Sequence, residues 1–498
     1  MSRGDRRRFL ATASASVGGL LLGCRDEGGL GQVAASTDAF PAIAPAGAPL
    51  RALQRLPDRS DDPSRFEATL VAAPARVPVV PTGLTPLLLY NERGPGPLIE
   101  LREGQRARIA LDNRLGEMST IHWHGLPVPP DQDGNPMDPV ESGTTHVYDF
   151  TLPAGTAGSY WYHPHPHQAT AAQVARGLAG PLIVRADDDP LAHIPEVLLF
   201  ITGIRLDERG EVAADGTIDW TVGRQLETLL INGGRLPVHT VRPGTTMRWR
   251  IFNATAASHL RLTLEGHAFT LVGTDGGLLG EPINDVAEYV LAPAQRVELI
   301  VQAASVPNGR YRLRALRFEA DFLNLGTYFD QDLMTLATTN DVPAPPAAVP
   351  AVLRPIADLG MPAARQRVEL DEVRDICMRS GATTAFLING RMFDIDRVDL
   401  VTESGRVELW DVVNRTAMAH PFHIHGTQFQ LVARQIGTQS FPAAYLAWID
   451  TVLVPAQQAV TIKVKQALPG KRMFHCHILE HEDNCMMAIL DVHPAPSS

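Results

Sequence analysis

Histidines recur in this chain as four His-x-His pairs: His122 and His124, His163 and His165, His423 and His425, His475 and His477. On a strand, residues i and i+2 project from one face, so each pair offers two imidazoles to the same space. Imidazole suits copper, zinc, iron and nickel. The fourth pair encloses Cys476, with His481 and Met486 after it and His420 ahead of the third pair. Two imidazoles, a thiolate and a weak thioether make the ligand set of a blue-copper electron-transfer site, and zinc rarely keeps the methionine. Any one of these histidines alone would read as a satisfied core or surface residue; the ordered set does not.

The elements that must position them form an internal repeat. Gly104 to Asn113 (GQRARIALDN), Gly244 to Asn253 (GTTMRWRIFN) and Gly405 to Asn414 (GRVELWDVVN) each set Gly nine residues before Asn around an alternating strand. A second landmark recurs as Gly158 to Tyr162, Gly309 to Leu313 and Gly470 to Phe474. Nine and eleven residues after the Asn, the first and third repeats carry His pairs, whereas the second carries Leu262 and Leu264. After the second landmark the outer repeats carry His163-Pro164-His165 and His475-Cys476-His477, and the middle one Arg314-Ala315-Leu316. Short β-branched runs punctuated by Gly, Pro and Asn predict three homologous all-β domains, each a Greek-key sandwich or barrel. Packed face to face, the outer two would converge all eight histidines.

With 498 residues, 45% hydrophobic and 20% charged, the chain can bury several cores and is neither disordered nor fibrous. No apolar run reaches the roughly 18 residues of a membrane helix. The net charge of −11, with scattered basic residues, argues against nucleic acid as a partner. Residues 1–23 read as an export signal: Arg6-Arg7-Arg8-Phe9-Leu10 resembles a twin-arginine signal. Leu21-Leu22-Gly23-Cys24 resembles a lipobox, in competition with a cleavage site at Val33-Ala34-Ala35. The expected location is periplasmic or cell-surface, with membrane attachment through a lipidated Cys24. The expected divisions are a flexible tether at 24–64, domains at 65–187, 188–341 and 365–498, and a Pro-rich linker at 342–364. Four cysteines are too few for a disulfide framework; Cys377 and Cys485 either pair or stay as buried thiols.

The sequence resembles the multicopper oxidases, particularly the three-domain bacterial laccases and cuprous oxidases. The resemblance spans nearly the whole chain after the signal. It rests on His122-Trp123-His124-Gly125, Tyr162-His163-Pro164-His165, His420-Pro421-Phe422-His423-Ile424-His425-Gly426, and the run from His475-Cys476-His477 through His481-Glu482 to Met486-Met487. It implies three cupredoxin-like domains and four copper ions. A type 1 copper falls on His420, Cys476, His481 and axial Met486, and a type 2 copper on His122 and His423. The type 3 pair falls on His124, His163 and His477 and on His165, His425 and His475. The implied reaction couples four one-electron oxidations to reduction of dioxygen to water. Glu482 and Asp133 are implied to relay protons, as positioned carboxylates can. Tyr160, Trp161 and Tyr162 are expected to pack in the core.

The donor is less defined. Twelve methionines without a cluster favour laccase-like oxidation of phenols and other aromatic donors over cuprous oxidation. The alternative is a metallo-oxidase for Cu(I), Mn(II) or Fe(II), with the acidic stretch from Phe318 to Asp330 and Asp332 bordering the site; a bilirubin-type donor is a lesser option. A copper-free periplasmic scaffold or division protein of this fold would lack the ligands kept here, and a nitrite reductase would lack the third domain.

Overall fold

The structure is a computed structural model that describes residues 46–80, 83–224, 226–321, 329–374 and 382–496. The signal-like segment with Cys24, and Cys377 with its proposed pairing, lie outside the described residues.

Among the described residues six sheets form three β-sandwiches, of two four-stranded sheets in the first and a six- and a five-stranded sheet in each of the others. The repeated strand has the same setting each time. Arg106–Asn113, Thr246–Asn253 and Val407–Asn414 each lie between a parallel partner (Arg65–Val80, Glu196–Ile204, Ala364–Arg374) and an antiparallel one (Thr145–Thr151, Arg296–Gln302, Ala459–Lys465). Alternate burial along Val407–Asn414 sends Trp410 and Val412 inward, the pattern of a sheet with one face on the core. Thr246–Asn253 is buried throughout because its other face carries Arg248 and Arg250, which meet Glu298, Glu196 and Asp189 at the junction with the first sandwich.

The repeated Asn acts as a latch. Asn113 Nδ2 donates to the carbonyls of Glu117 (2.9 Å) and Val140 (2.8 Å), Asn253 Nδ2 to Ser258 (2.8 Å) and Leu291 (2.9 Å), and Asn414 Nδ2 to Met418 (2.7 Å) and Val454 (3.0 Å). Each Oδ1 accepts the N–H two residues on, from Leu115, Thr255 and Thr416. Only a side-chain amide supplies two donors and an acceptor in so small a volume. The latch fixes the loop that leads into each ligand strand, and it persists in the middle sandwich, which carries no ligands.

Residues 46–64, expected as part of a flexible tether, are docked. Leu50 N–H donates to Val238 O (2.8 Å) and Leu56 N–H to Leu98 O (2.8 Å), with the Leu56 side chain buried. The Pro-rich 342–364 stretch is likewise a strap, held by Ala344 N–H to Pro243 O (2.7 Å), Leu353 N–H to Gly280 O (2.9 Å) and the Arg354–Glu103 ion pair. Proline content predicts stiffness and says nothing of docking. Free backbone donors beside sheet carbonyls decide it.

Candidate metal centre

His122–His124 pairs with Gly158–His163 in one outer sheet, in the register His122 to His163; His420–Ile424 pairs with Gly470–Cys476 in the other, in the register His423 to His475. Paired register sets the His pairs side by side, and the two sheets face each other across the junction between the first and third sandwiches. There the short helices Thr170–Ala175 and Leu479–Asp483 meet, the Asp483 carboxylate accepting the N–H groups of Thr170 (3.2 Å) and Ala171 (2.8 Å).

All eight paired histidines are fully buried and converge. His425 Nε2 and His165 Nε2 lie 3.1 and 3.3 Å from His475 Nε2, and His423 Nε2 lies 3.4 Å from His122 Nε2. In six of them one ring nitrogen faces an oxygen acceptor. His122 Nδ1 meets Asp133 O (3.1 Å), His163 Nδ1 Pro164 O (2.9 Å), His423 Nδ1 Asp450 O (2.8 Å) and His475 Nδ1 Cys476 O (2.9 Å). His425 Nδ1 meets Asp133 Oδ2 (3.2 Å) and His124 Nε2 meets Asp450 Oδ1 (3.0 Å). An N–H committed outward leaves the lone pair of the other nitrogen for the shared interior. Among the described residues His124 Nδ1 and His163 Nε2 accordingly have no hydrogen-bond partner, and neither nitrogen of His477 has one. Burial, aided by neighbouring imidazoles, holds His124, His163, His165, His423, His425 and His477 far below the ordinary histidine range, and burial pushes His475 down to about 3. Neutral imidazoles with unpaired lone pairs in a dry space are what a metal cluster requires.

A second centre adjoins it. His420 Nδ1 lies 3.3 Å from Cys476 Sγ, His481 Nδ1 lies 3.8 Å from Sγ, and the two nitrogens are 3.4 Å apart. A point equidistant from the three atoms lies about 2 Å from each, the length of a metal–imidazole bond. Burial pushes the Cys476 thiol well up, so its sulfur ionises in place only beside a cation. Met486 is tied to the residues of this triad by its backbone: its N–H donates to His481 O (2.9 Å), its carbonyl accepts Cys476 N–H (3.1 Å), and its side chain is buried in the apolar cluster that holds Cys476. Phe386 stacks on His481 with ring centroids 3.8 Å apart, and Thr416 Oγ1 lies 2.7 Å from His420 Nε2. The donor sets of both centres fit copper.

The two acids named from sequence sit at the eight-histidine centre, buried. Asp133 lies on His122 and His425; Glu482 Oε1 lies 3.4 Å from His165 Nε2 and Oε2 3.3 Å from His475 Nδ1. Burial, with Asp483 beside it, holds the Glu482 carboxyl well above the usual range, and burial raises Asp133. Tyr160 and Tyr162 are core residues, their hydroxyls donating to Thr156 O and Pro97 O, but the Trp161 ring lies against His163 (4.3 Å between centroids) and His124 (5.2 Å). Asp330 and Asp332, in the stretch considered for a metal donor, are engaged with Arg314 and Arg312 at the surface. Sequence reasoning missed Asp450, Thr416 and Phe386. Asp450 carried one signal, a lone acid inside the run Ala447 to Leu453.

Family models described as multicopper oxidase match residues 75–189, 207–328 and 367–496. The chain is 29% identical over 418 residues to multicopper oxidase mco of Staphylococcus aureus, covering 81% of this chain and 83% of that protein. Among solved structures it is similar to a multicopper oxidase from Campylobacter jejuni described as a metallo-oxidase, at 36% identity and a TM-score of 0.84, covering 92% of this chain and 98% of that one. It is also similar to a laccase from Pediococcus acidilactici, at 28% identity and a TM-score of 0.78, covering 91% and 95%. With ligand-bearing outer sandwiches, a ligand-free middle one and this donor chemistry, the chain belongs to the multicopper oxidase family of copper-dependent oxidoreductases.

Proposed function

We propose that this enzyme takes single electrons from a small aromatic donor, phenols in particular, and spends four of them on reducing dioxygen to two waters. Four copper ions, when bound, would supply one-electron acceptance at His420, Cys476, His481 and Met486 and oxygen reduction at the eight histidines. One observation carries the reading: Cys476 belongs to the first centre while its neighbours His475 and His477 belong to the second, so electrons have a bonded route a few atoms long. Glu482 and Asp133 stand beside ligands of the second centre, placed to relay the protons that oxygen reduction consumes.

An aromatic donor is supported by a shallow depression lined by Leu226, Leu229, His259, Phe318 and Phe329. His259 stacks on Phe318 at 5.1 Å between centroids, and Phe318 packs against the apolar cluster that holds Ala419, the residue before His420. Flat apolar walls beside a redox ligand suit an aromatic ring. The resemblance to the Campylobacter jejuni metallo-oxidase favours a second reading, oxidation of Cu(I), Fe(II) or Mn(II), and Glu227 on the same wall gives a cation one carboxylate. Oxygen consumption with phenols and with each reduced ion decides between them. Under the first reading Phe318→Ala raises KM for phenols several-fold and leaves ion oxidation unchanged, and the reverse pattern for Glu227→Gln would establish the second. The twin-arginine-like start and Cys24 support export and lipid attachment, which the mass of the mature N-terminus tests.

A further inference from the structure

Asp450 belongs to no ligand motif, yet it touches two ligand histidines. Its Oδ1 lies 3.0 Å from His124 Nε2 and its backbone carbonyl 2.8 Å from His423 Nδ1. These imidazoles come from the first and third sandwiches and stack face to face, with centroids 3.9 Å apart. The carboxylate is gripped in turn by Arg296 of the middle sandwich, Nη1 to Oδ1 at 2.8 Å and Nη2 to Oδ2 at 2.5 Å. Arg296 Nε donates to Ser159 O of the first sandwich (2.7 Å) and Nη1 to Ala294 O of its own (2.9 Å). Asp275, also from the middle sandwich, accepts Arg296 N–H (2.7 Å) and Asp450 N–H (3.2 Å), while Gln428 Nε2 bridges Asp450 Oδ2 (2.9 Å) and Gly125 O (2.8 Å). Arg296, Asp450, His124 and His423 are all fully buried.

We propose that Arg296 and Asp450 are positioning residues of the eight-histidine centre: a clamp, anchored in the sandwich that lost its own ligands, that fixes His124 and His423 for metal. The inference rests on the copper reading above. A carboxylate accepting from Nε2–H sets the tautomer of His124 and turns its Nδ1 lone pair to the shared interior, where Nδ1 has no protein partner. A carboxylate buried this deeply is costly unless paired in good geometry, and the two-pronged guanidinium supplies that pairing. The glycine after His124 follows from the clamp: a Cβ at Gly125 would stand 2.2 Å from Asp450 Oδ2, at a φ of +86°.

Arg296→Lys keeps the charge and loses the fork; Asp450→Asn keeps the shape and loses the charge. Copper per chain, the blue absorption of the type 1 site and the electron paramagnetic resonance signal of type 2 copper are compared with the parent during dialysis against a chelator. The clamp predicts parental blue absorption, an altered type 2 signal, and copper held at the eight-histidine centre about 10- to 100-fold more weakly than in the parent, the usual cost of removing a partner of a ligating histidine. A folded variant with parental type 2 signal and copper retention would overturn it. So would parallel loss of the blue site and the cluster, or failure of both variants to fold, since the pair would then be a general tie between sandwiches. A parent lacking the type 2 signal altogether would refute the copper reading instead.

Discussion

Cys476 and His475 are consecutive residues of one strand, yet Cys476 Sγ lies 3.3 Å from His420 Nδ1 while His475 Nε2 lies 3.1 Å from His425 Nε2 in the other centre. Neighbouring side chains on a strand point to opposite faces. A single strand end thus lends one residue to each centre, and under the proposed function its backbone is the route for electrons between them.

Cys476→Ser breaks that route at its entrance. Serine fills the volume without a thiolate, so the intense blue absorption and donor-driven oxygen consumption are expected to vanish. The melting temperature should stay within a few degrees of the parent, and copper at the eight histidines should remain. Absorption spectra and copper counts per chain check this; persistent blue colour would remove Cys476 from the site.

Glu482→Gln separates protons from electrons. The amide keeps size and cannot carry a proton near neutral pH, so reoxidation of the reduced enzyme by oxygen should slow by roughly 10² to 10⁴, the usual contribution of a positioned acid. Anaerobic reduction of the blue centre by donor should be unchanged. Stopped-flow measurement of the two half-reactions decides, and a slowed donor step would contradict the relay role.

Thr416→Val tests the scaffold behind the blue centre. In the ligand-free middle sandwich Thr255 Oγ1 bonds Asn253 Oδ1 at 2.7 Å, and Thr416 Oγ1 repeats that bond to Asn414 Oδ1 at 2.9 Å while also meeting His420 Nε2. Valine leaves His420 Nε2–H unpaired, at a cost of about 1–3 kcal/mol. A lower melting temperature with a shifted blue band is expected, and an unmoved band would mean that Thr416 serves the loop alone.

Gly125→Ala introduces both a clash with Asp450 and a left-handed backbone that costs an alanine about 1–2 kcal/mol. Thermal unfolding should show at least that loss. Copper at the eight-histidine centre should bind more weakly than in the parent under the same chelator challenge.

Metal-free protein should lose stability steeply in acid. Burial holds His420 and His475 down to about 3 in the fold, so below the ordinary histidine value of about 6.5 the unfolded chain binds the extra protons and stability falls with pH. Glu227, Asp275 and Asp483, pushed up to about 7 by burial, act in the opposite sense between about pH 4 and 7, where the fold binds the extra protons. Below about pH 4 the histidines act unopposed, joined by Glu196, which despite burial is held down to about 2 by Arg250 and Arg185. Melting temperature against pH for chelator-stripped protein should therefore fall more steeply below about pH 4, where the raised carboxyls no longer offset the lowered histidines, than between pH 7 and 4. An equal slope above and below pH 4 would show that the buried carboxyls offset nothing.

The ligand residues were legible in the sequence because their pattern repeats from sandwich to sandwich, but the two-residue strand period holds in full only for His122 and His124; His165, His425 and His477 stand just past the ends of the strands that carry His163, His423 and His475. The missing pair at Leu262 and Leu264 identified the middle sandwich by the same logic. Asp133 and Glu482 were readable only through family resemblance, since nothing in their local sequence predicts burial. His163 and His475 turn to the carbonyl of the next residue, whereas tertiary structure alone decided the oxygens that face His122, His124, His423 and His425. Asp450 reaches His124 across 326 positions and Arg296 reaches Asp450 across 154, separations with no periodic trace in the chain. Local pattern fixes which way a side chain points from its own strand; its partner is set by the packing of one sandwich on another, where desolvated charge must find its complement.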